Sequence, residues 1–430
     1  MNENRPNYIK KTIYGLDEPF EQRNGRLKRK HRTMAESPWQ FLRGSTELFY
    51  EDLANAKPTG SQPSSLHKQT TTTVVGDCHL GNFGFFTEES AYGDNVIFAC
   101  NDFDDACIGF PSWDIVRFIT SLHVAFGSQN PTQEQTAVAK ATIKEAGQAF
   151  IHTYSETLNK IIVHPKYRNT SIGRHNTHHL FQKLFKKTKA QSAAGKQFLS
   201  KSSLAKAVDL TQQKIRFKNK KKFKRLNNKH YSDIKNTCQR YVNDSIVDIV
   251  QRINAGTGSL DLERYYLLVG PDTPKSKQDL GLYYIVEMKQ QRRPSPLQYF
   301  PDLNPINQQS AAELHVYCQR LMQRYPDIIL NHFFWKDREW LLRSRHHART
   351  SIKPEAINGT EKPEKLIEYA KMCGKALALA HSRGDRRSSA FERQMARYVT
   401  KYKTLLEKSA IQHAQQCISD WAIFSEIYKH

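Results

Sequence analysis

The chain has 430 residues, of which 38% are hydrophobic and 11% aromatic, and its formal net charge is +23. This composition is typical of a folded globular protein, and the length predicts two or three lobes. The seven cysteines include no Cys-x-x-Cys pair and no run of about 18 apolar residues occurs, which argues against a disulfide framework, a zinc ribbon and a membrane-spanning helix.

Charge and cysteine content also set expectations for partners and location. The 65 Lys and Arg residues outnumber the 42 Asp and Glu residues, which favours anionic partners: nucleotides, nucleic acid, acidic proteins or anionic lipid. A basic protein with no polyanionic partner is the alternative. The N-terminal residues lack the apolar stretch of a signal peptide, and the cysteine pattern fits a reducing compartment, so a cytoplasmic location is expected.

The predicted elements of the first half run from a basic arm to a pair of helices. Residues 1–36 are polar and predict an extended or loosely helical N-terminal arm. A Ser-Pro start and apolar residues at helical spacing then predict a helix over 37–54. The elements that follow are a loop at 57–65, a β-branched strand running into a polar turn at 71–86, a buried strand ending in acids at 94–106, and helices at 113–126 and 137–162.

A change of character separates this half from the next. Residues 163–235 are densely basic and poor in apolar residues, and they predict a basic helical insertion. A β-rich part is predicted over 244–346, and C-terminal helices over 347–430. The individual elements are a short helix or strand at 245–253, a glycine turn at 254–260, strands at 263–270 and 282–289, an amphipathic helix at 310–325, a strand at 338–345, and helices at 363–384 and 390–428.

Two acidic motifs follow consecutive predicted strands. GDCHLGN (76–82) lies in the turn after one strand, and NDFDD (101–105) closes the next. Two adjacent strands in a hairpin-like unit would bring both motifs to one edge of a sheet. Phosphoryl transfer needs such groups, because one carboxylate orients the attacking hydroxyl while a second carboxylate and an amide oxygen hold Mg²⁺ against the phosphates. The alternative is that these side chains only satisfy their own turns; Asp104 and Asp105 either support the metal indirectly or face solvent.

The motif order resembles a known enzyme family. G-D-x-H-x-x-N, followed by D-F-D-D-A and then W-D, is similar to the catalytic core of the aminoglycoside phosphotransferase and choline kinase branch of the kinase-like fold. The resemblance implies ATP and Mg²⁺ as cofactors, with Asp77 as the catalytic-loop Asp. It implies that Asn82 and Asp102 bind the metal. It further implies that Asp114 braces the loop and that His79 is mainly structural.

A phosphate grip is expected from the second half of the chain. Gly256, Gly258 and Ser259 resemble part of a kinase glycine-rich loop, in which free N–H groups bind phosphate. An ordinary tight turn is the alternative, and Asp261 stands where a third glycine is expected. Lys289 closes an apolar strand, where kinase-like folds place the lysine that holds the phosphates; an edge-strand lysine that prevents aggregation is the alternative.

Three further charged residues are candidates for the site. Glu313, on the helix after this strand, is expected to pair with Lys289, with Glu287 as its rival. Arg43 and Arg343 are expected to contact phosphate or the catalytic acids, since a guanidinium forms bidentate hydrogen bonds with either group. Plain salt bridges are the alternative for both arginines.

The order of these motifs predicts a circular permutation. In ordinary kinases the glycine loop and lysine precede the catalytic loop, whereas here they follow it. The expected α+β fold is therefore a two-lobed, protein-kinase-like one in which a catalytic part (37–243) precedes a nucleotide-binding part (244–346), and 347–430 returns to the catalytic part. SPWQFLRG, GDCHLGNFG, NDFDDACIGFPSWDIVRF and CGKALALAHSRGD resemble the bacterial family catalogued as domain of unknown function 2252, and this resemblance establishes no substrate.

The basic insertion offers a second kind of partner. IRFKNKKKFKRLNNKH combines cations with Phe217 and Phe223, so nucleic acid is a candidate partner through 217–230. A solvated cationic face with both phenylalanines anchored in the core is the alternative.

The expected function is an ATP/Mg²⁺-dependent phosphotransferase whose acceptor is unknown, an anionic acceptor being one option. A nucleotidyl (AMP) transferase on the same fold, a non-catalytic pseudokinase and a basic nucleic-acid-binding module are the alternatives.

Overall fold

The computed structural model describes residues 5–21, 26–55, 70–127, 133–211, 214–253, 262–274, 276, 278–358 and 362–429. Its α-helices are α1 (Arg5–Glu21), α2 (Arg26–Ala35), α3 (Pro38–Gly44), α4 (Thr46–Asn55), α5 (Pro111–Phe126), α6 (Gln133–Val163), α7 (Gln182–Gln191), α8 (Phe198–Lys201), α9 (Ser203–Ala207), α10 (Asn228–Cys238), α11 (Ala311–Met322), α12 (Pro363–Arg383) and α13 (Ala390–Lys429). Its strands are β1 (Thr72–Val74), β2 (Phe83–Thr87), β3 (Val96–Cys100), β4 (Cys107–Gly109), β5 (Val208–Asp209), β6 (Arg216–Phe217), β7 (Phe223–Lys224), β8 (Ile246–Arg252), β9 (Arg264–Val269), β10 (Tyr284–Gln290), β11 (Asn331–Trp335), β12 (Arg338–Ser344) and β13 (Arg349–Ser351).

Antiparallel pairing joins the described strands into four sheets. Six strands form the largest sheet, in the order β11-β12-β10-β9-β8-β7, and three form a second, in the order β13-β2-β3. The other two sheets are the pairs β1-β4 and β5-β6. Together with the helices they give a mixed α+β fold, as the alternation of helical and β-type patterns predicts.

The six-stranded sheet has one apolar face and one face that carries charge. Side chains alternate between the faces of a strand, and along β10 this places Val286 and Met288 in an apolar cluster with Ile234 of α10. Glu287 and Lys289 therefore lie on the opposite face, and both are buried. A buried charge needs charged or polar partners, so this face must lie against polar groups from another part of the chain.

Long helices bury the apolar surface of the remaining chain. α5, α6, α12 and α13 pack together, and between α5 and α6 the rings of Phe118 and Phe150 stack at 4.1 Å. The region predicted as one helix over 37–54 is two helices, because the chain breaks at Ser45. The part of the chain that the structure describes contains no helix long and apolar enough to span a membrane.

The described part of the N-terminal region is helical and packed. Ile9, Met34 and Phe424 belong to one apolar cluster that joins α1 and α2 to α13. Arg5 strengthens this contact because it pairs with Asp52 at 2.8 Å and with Asp420 at 2.5 Å.

The described part of the basic region 163–235 forms short helices and strands rather than a helical insertion alone. β7 extends the six-stranded sheet by pairing with β8. Phe217 is 2% exposed, and the centre of its ring lies 5.5 Å from the centre of the Phe223 ring. Both aromatic side chains pack toward the sheet, with Phe223 also contacting Tyr266. Phe217 therefore offers no exposed ring for stacking on bases. Such stacking was one reason to expect nucleic acid at 217–230.

Candidate active site

Two polar turns lie side by side because of how four short strands pair. The turn 75–82 connects β1 to β2, and the turn 101–106 connects β3 to β4. β2 pairs with β3, and β1 pairs with β4. The two turns are therefore neighbours at both of their ends. The sequence pattern predicted a single hairpin-like pair of strands, and the two pairs seen here correct that expectation.

The β2–β3 pairing brings Asn82 next to Asp102. Phe83 is opposite Cys100 in the sheet, and the Asn101 N–H donates to the Asn82 carbonyl at 3.0 Å. The Asn82 side-chain amide donates to the Asp77 carbonyl at 2.8 Å. That bond uses the nitrogen of the amide and not its oxygen, which is a good ligand for hard cations, and Asn82 lines the cavity described below.

Asp114 holds the start of the first turn. This fully buried carboxylate accepts the backbone N–H groups of Val75 at 2.7 Å and Gly76 at 3.0 Å. It also lies 3.0 Å from His381 Nε2 at the end of α12, whose Nδ1 is 2.8 Å from the Tyr154 hydroxyl. Because Asp114 sits in the first turn of α5, the position of that helix fixes the backbone on which Asp77 is carried.

Arg117 fixes the Asp77 side chain, and sequence reasoning missed it. The Arg117 guanidinium is 1% exposed and lies 2.6 Å from the Asp77 carboxylate. It is held in place by the Leu42 carbonyl at 2.9 Å and the Thr46 hydroxyl at 3.0 Å. Burial disfavours the charged carboxylate, but the charge of Arg117 outweighs burial and holds the pKa of Asp77 below its ordinary value. One signal was present in the sequence: Arg117 follows Asp114 by one helical turn, so both project from the same side of α5.

His79 and Arg43 also lie near Asp77, and their charges act on it. His79 Nδ1 accepts the Gly81 N–H at 3.1 Å, and its Nε2 lies 3.6 Å from Asp77. Burial lowers the pKa of His79 to about 4, so this imidazole is neutral near pH 7. The Arg43 Nε is buried and has no hydrogen-bond partner among the described residues, and the side chain lines the same cavity as Asp77.

Lys289 contacts the second acidic turn. Its ammonium group donates to the Asp104 carboxylate, whose other oxygen lies 3.6 Å from His315 Nδ1 on α11. Lys289 and its neighbours hold the pKa of Asp104 below its ordinary value, although burial opposes this. Burial lowers the pKa of Lys289, and Asp104 opposes that shift. The contact is therefore a buried charged pair.

The expected pairing of Lys289 with Glu313 is not what the structure has. Glu313 stands at the third position of α11, where its backbone N–H is capped by the Ser310 hydroxyl at 3.3 Å. The buried side of that helix carries His315 and Gln319, one turn apart and joined by a 2.9 Å hydrogen bond. Glu313 lies off this side by helical geometry, so His315 takes the position predicted for the glutamate.

Arg343 forms its direct ion pair with Glu287, and its charge also acts on Asp102 and Asp104. The fully buried Glu287 carboxylate is surrounded by Arg264 at 3.2 Å, Arg343 at 2.9 Å and Arg345 at 3.0 Å. These charges hold the pKa of Glu287 well below its ordinary value, against the effect of burial. Glu287, the alternative partner predicted for Lys289, is therefore already neutralised by three arginines.

Asp77, Asn82, Asp102 and Lys289 meet in one cavity of about 110 Å³. Its polar lining comes from both acidic turns, from α3 and α4 and from the end of β10: Arg43, Thr46, Asp77, His79, Asn82, Asp102, Asp104, Asp105, Lys289, Gln291 and Arg292. Leu262 also lines it and is the first described residue after the predicted glycine loop. Gly256, Gly258 and Ser259 lie outside the described residues.

A family model described as "Uncharacterized protein conserved in bacteria (DUF2252)" matches residues 23–427. The chain belongs to this family. The chain matches no curated protein and no solved structure. The DUF2252 description names no reaction, so the chemistry of this DUF2252 protein has to be inferred from its cavity.

Asn82 and Asp102 are the cavity residues best suited to hold a magnesium ion. Asp102 makes no hydrogen bond or ion pair with another described residue of this DUF2252 protein. Burial, and next the charge of Asp104, raise the pKa of Asp102 above its ordinary value, an effect that a bound cation would reverse. Mg²⁺ keeps several waters and takes few protein oxygens, so this pair is a sufficient set.

A more closely spaced group of potential metal ligands lies elsewhere on the described part of the DUF2252 chain. His178, His179 and Glu364 place one ligand atom each within 4.8 Å of the others. It is the only group of three His, Cys, Asp or Glu residues to do so among the described residues. The acids of the cavity are more widely spaced, which suits a hydrated ion and not a dry, fully ligated one.

Asp105 gives the DUF2252 site a measurable pH dependence. Burial, together with the charges of Asp77 and Glu47, raises the pKa of Asp105 to about 6. A carboxyl with a raised pKa in the folded state favours folding only while it is protonated. Stability contributed through Asp105 is therefore lost as pH rises from about 4 to about 6, and it stays constant above that range.

Asp105→Asn is expected to remove this loss of stability. The asparagine keeps an oxygen for the Ser295 N–H and hydroxyl, which Asp105 accepts at 2.8 and 2.7 Å. The variant should gain about 1–3 kcal/mol relative to the wild type between pH 4 and pH 7, measured by urea unfolding at both pH values. An unchanged difference between the two proteins at pH 4 and pH 7 would contradict the raised pKa.

Proposed function

We propose that this chain is an ATP/Mg²⁺-dependent phosphotransferase on a circularly permuted, kinase-like fold. The observation that carries the proposal is the convergence of Asp77, Asn82, Asp102 and Lys289 on one cavity. Lys289 comes from the six-stranded sheet and the other three from two turns far earlier in the chain. Phosphoryl transfer requires this combination of an orienting carboxylate, hard-cation ligands and a cation for the phosphates.

The contact between α12 and β1 supports the permutation. The Thr72 hydroxyl donates to the His381 carbonyl at 2.8 Å, and His381 also reaches Asp114. The last turn of α12 thus abuts the first residues of β1, although about 310 residues separate them. If the chain were reconnected there, α12 would run directly into β1 and the turn with Asp77, which is the order of an unpermuted kinase-like chain.

The roles of the protein groups follow from their charges. Asp77 is ionised and held by Arg117, so it accepts a hydrogen bond from the acceptor hydroxyl and orients it. Asn82 and Asp102 hold the magnesium ion, which when bound neutralises charge on the phosphates. Lys289 and Arg43 supply the positive charge that attracts and positions the nucleotide phosphates.

Transfer of label from ATP tests the proposal. Purified protein is incubated with Mg²⁺ and with γ-labelled or α-labelled ATP over a panel of hydroxyl-bearing metabolites, proteins and RNA. We expect γ label on an acceptor. Transfer of α label instead would identify a nucleotidyl transferase. Neither label, together with no thermal response to ATP and Mg²⁺, would reject the nucleotide site.

A further inference from the structure

A second cavity lies beside the first and is larger, at about 260 Å³. Asn101 and Phe103 line it, whereas Asp102, between them in sequence, lines the first cavity. Its other walls come from the middle of β10, from the stretch between the end of β12 and β13, from α9, α11 and the end of α7, and from Ser90. The two cavities have no lining residue in common, so a ligand here need not be the one held by Lys289.

Positive charge dominates the walls of this second cavity. Four cationic side chains line it, namely Lys206, Arg343, Arg345 and Arg349, against the single carboxylate of Glu287. That carboxylate is already shared by Arg343, Arg345 and Arg264.

Two of the four cations, Arg349 and Lys206, make no ion pair with a described carboxylate, although the charge of Asp102 acts on Arg349. Arg349 instead donates to the neutral Asn101 side chain at 2.9 Å. Burial and then the charges of Arg349 and Arg343 lower the pKa of His346 to about 3, so a further lining residue stays neutral in this positive field.

The side chain of Asn101, on the wall of the second cavity, is tied to Arg349. Asn101 is 9% exposed, and its side-chain oxygen is used by Arg349. This hydrogen bond holds the Arg349 guanidinium at the cavity wall without neutralising its charge, so an anionic ligand would offset it.

We propose that the second cavity binds the phosphate group of a small molecule other than the nucleotide. Phosphate is favoured over a carboxylate for two reasons. A guanidinium pairs with phosphate through two parallel hydrogen bonds, and a doubly charged group matches the excess of cations better than a singly charged one. The ligand is either free phosphate or a phosphomonoester. The inference does not require phosphotransfer, because its residues lie outside the first cavity.

Thermal shift titrations test this site. Inorganic phosphate and glycerol 3-phosphate are titrated at constant ionic strength, with sodium chloride as the reference, into the wild type and Arg349→Gln. Losing one charge-assisted pair is expected to weaken binding about 10- to 100-fold. Lys206→Gln should weaken it less. Tighter binding of the ester than of inorganic phosphate identifies a phosphomonoester ligand, and equal or weaker ester binding identifies free phosphate.

Two controls separate this inference from the nucleotide proposal. Arg387→Gln changes an arginine that is 90% exposed and should bind phosphate as the wild type does. Lys289→Met should lose the response to ATP and Mg²⁺ but keep the response to phosphate. Unchanged phosphate binding in Arg349→Gln, or phosphate binding lost in Lys289→Met, would overturn the inference even if ATP binds normally.

Discussion

Asp102→Asn is expected to abolish the thermal response to ATP and Mg²⁺ without weakening the fold. In the wild type, ligand at about 100 times its dissociation constant should stabilise the protein by about 2.7 kcal/mol. The asparagine removes the carboxylate proposed to hold the metal. Phosphotransfer should fall by about 100-fold or more, since changing groups that only orient a metal ligand already costs about 10–100-fold.

The ligand-free variant should be at least as stable as the wild type. The pKa of Asp102 is raised in the folded protein, so its ionised form disfavours folding at neutral pH, and a neutral amide removes that effect. Asp302→Asn, at an exposed position outside both cavities, is the matched control and should keep the nucleotide response. A full ATP response in Asp102→Asn would reject Asp102 as the metal ligand.

Asp114→Ala is expected to be among the most destabilising single changes in the described chain. It leaves the buried N–H groups of Val75 and Gly76 without an acceptor and removes the partner of His381. Each unpaired buried donor costs about 1–3 kcal/mol, so we expect a loss of about 3–5 kcal/mol in urea unfolding. Any phosphotransfer should fall as well, because the backbone carrying Asp77 loses its anchor.

Asp114→Asn and Glu145→Ala serve as comparisons for this effect. The asparagine keeps one oxygen acceptor and should lose less stability than the alanine. Glu145 is exposed on α6, and its replacement should change stability by no more than about 0.5 kcal/mol. A loss below about 1 kcal/mol for Asp114→Ala would show that water or a shifted backbone satisfies these donors.

Local sequence patterns predicted many of the helices and strands. Periodicity placed α5, α6, α11, α12 and α13, and β-branched and aromatic runs placed β9, β10 and β12, since each of these elements buries its own apolar pattern. The short strands β4, β7 and β13 could not be predicted, because two or three residues hold too little pattern and their pairing is decided by distant partners. β11 was missed for a related reason: four of its five residues are only partly buried and one is exposed, which blurs the alternation expected of a strand.

The residues of the candidate site differ in the same way in how far they could be predicted from local sequence. Asp77, Asn82 and Asp102 are set by turns that directly follow strands, so their grouping could be predicted from spacing. The contacts of Arg117 with Asp77 and of His315 with Asp104 could not, because each comes from a helix whose orientation depends on packing. The pairing of Lys289 with Asp104 joins positions 185 residues apart, and local sequence carries no information on such a choice.

The helices α12 and α13 lie far downstream in sequence of the turn that carries Asp77, which has a consequence for synthesis of the protein. His381 and Asp420 complete the contacts of Asp114 and Arg5, but they lie 267 residues after Asp114 and 415 residues after Arg5. The turn that carries Asp77 and the helices α1 and α2 must therefore wait, partly unpacked, until this later part of the chain has emerged. Nascent chains of this protein should thus expose apolar surface for longer than chains whose first half folds by itself.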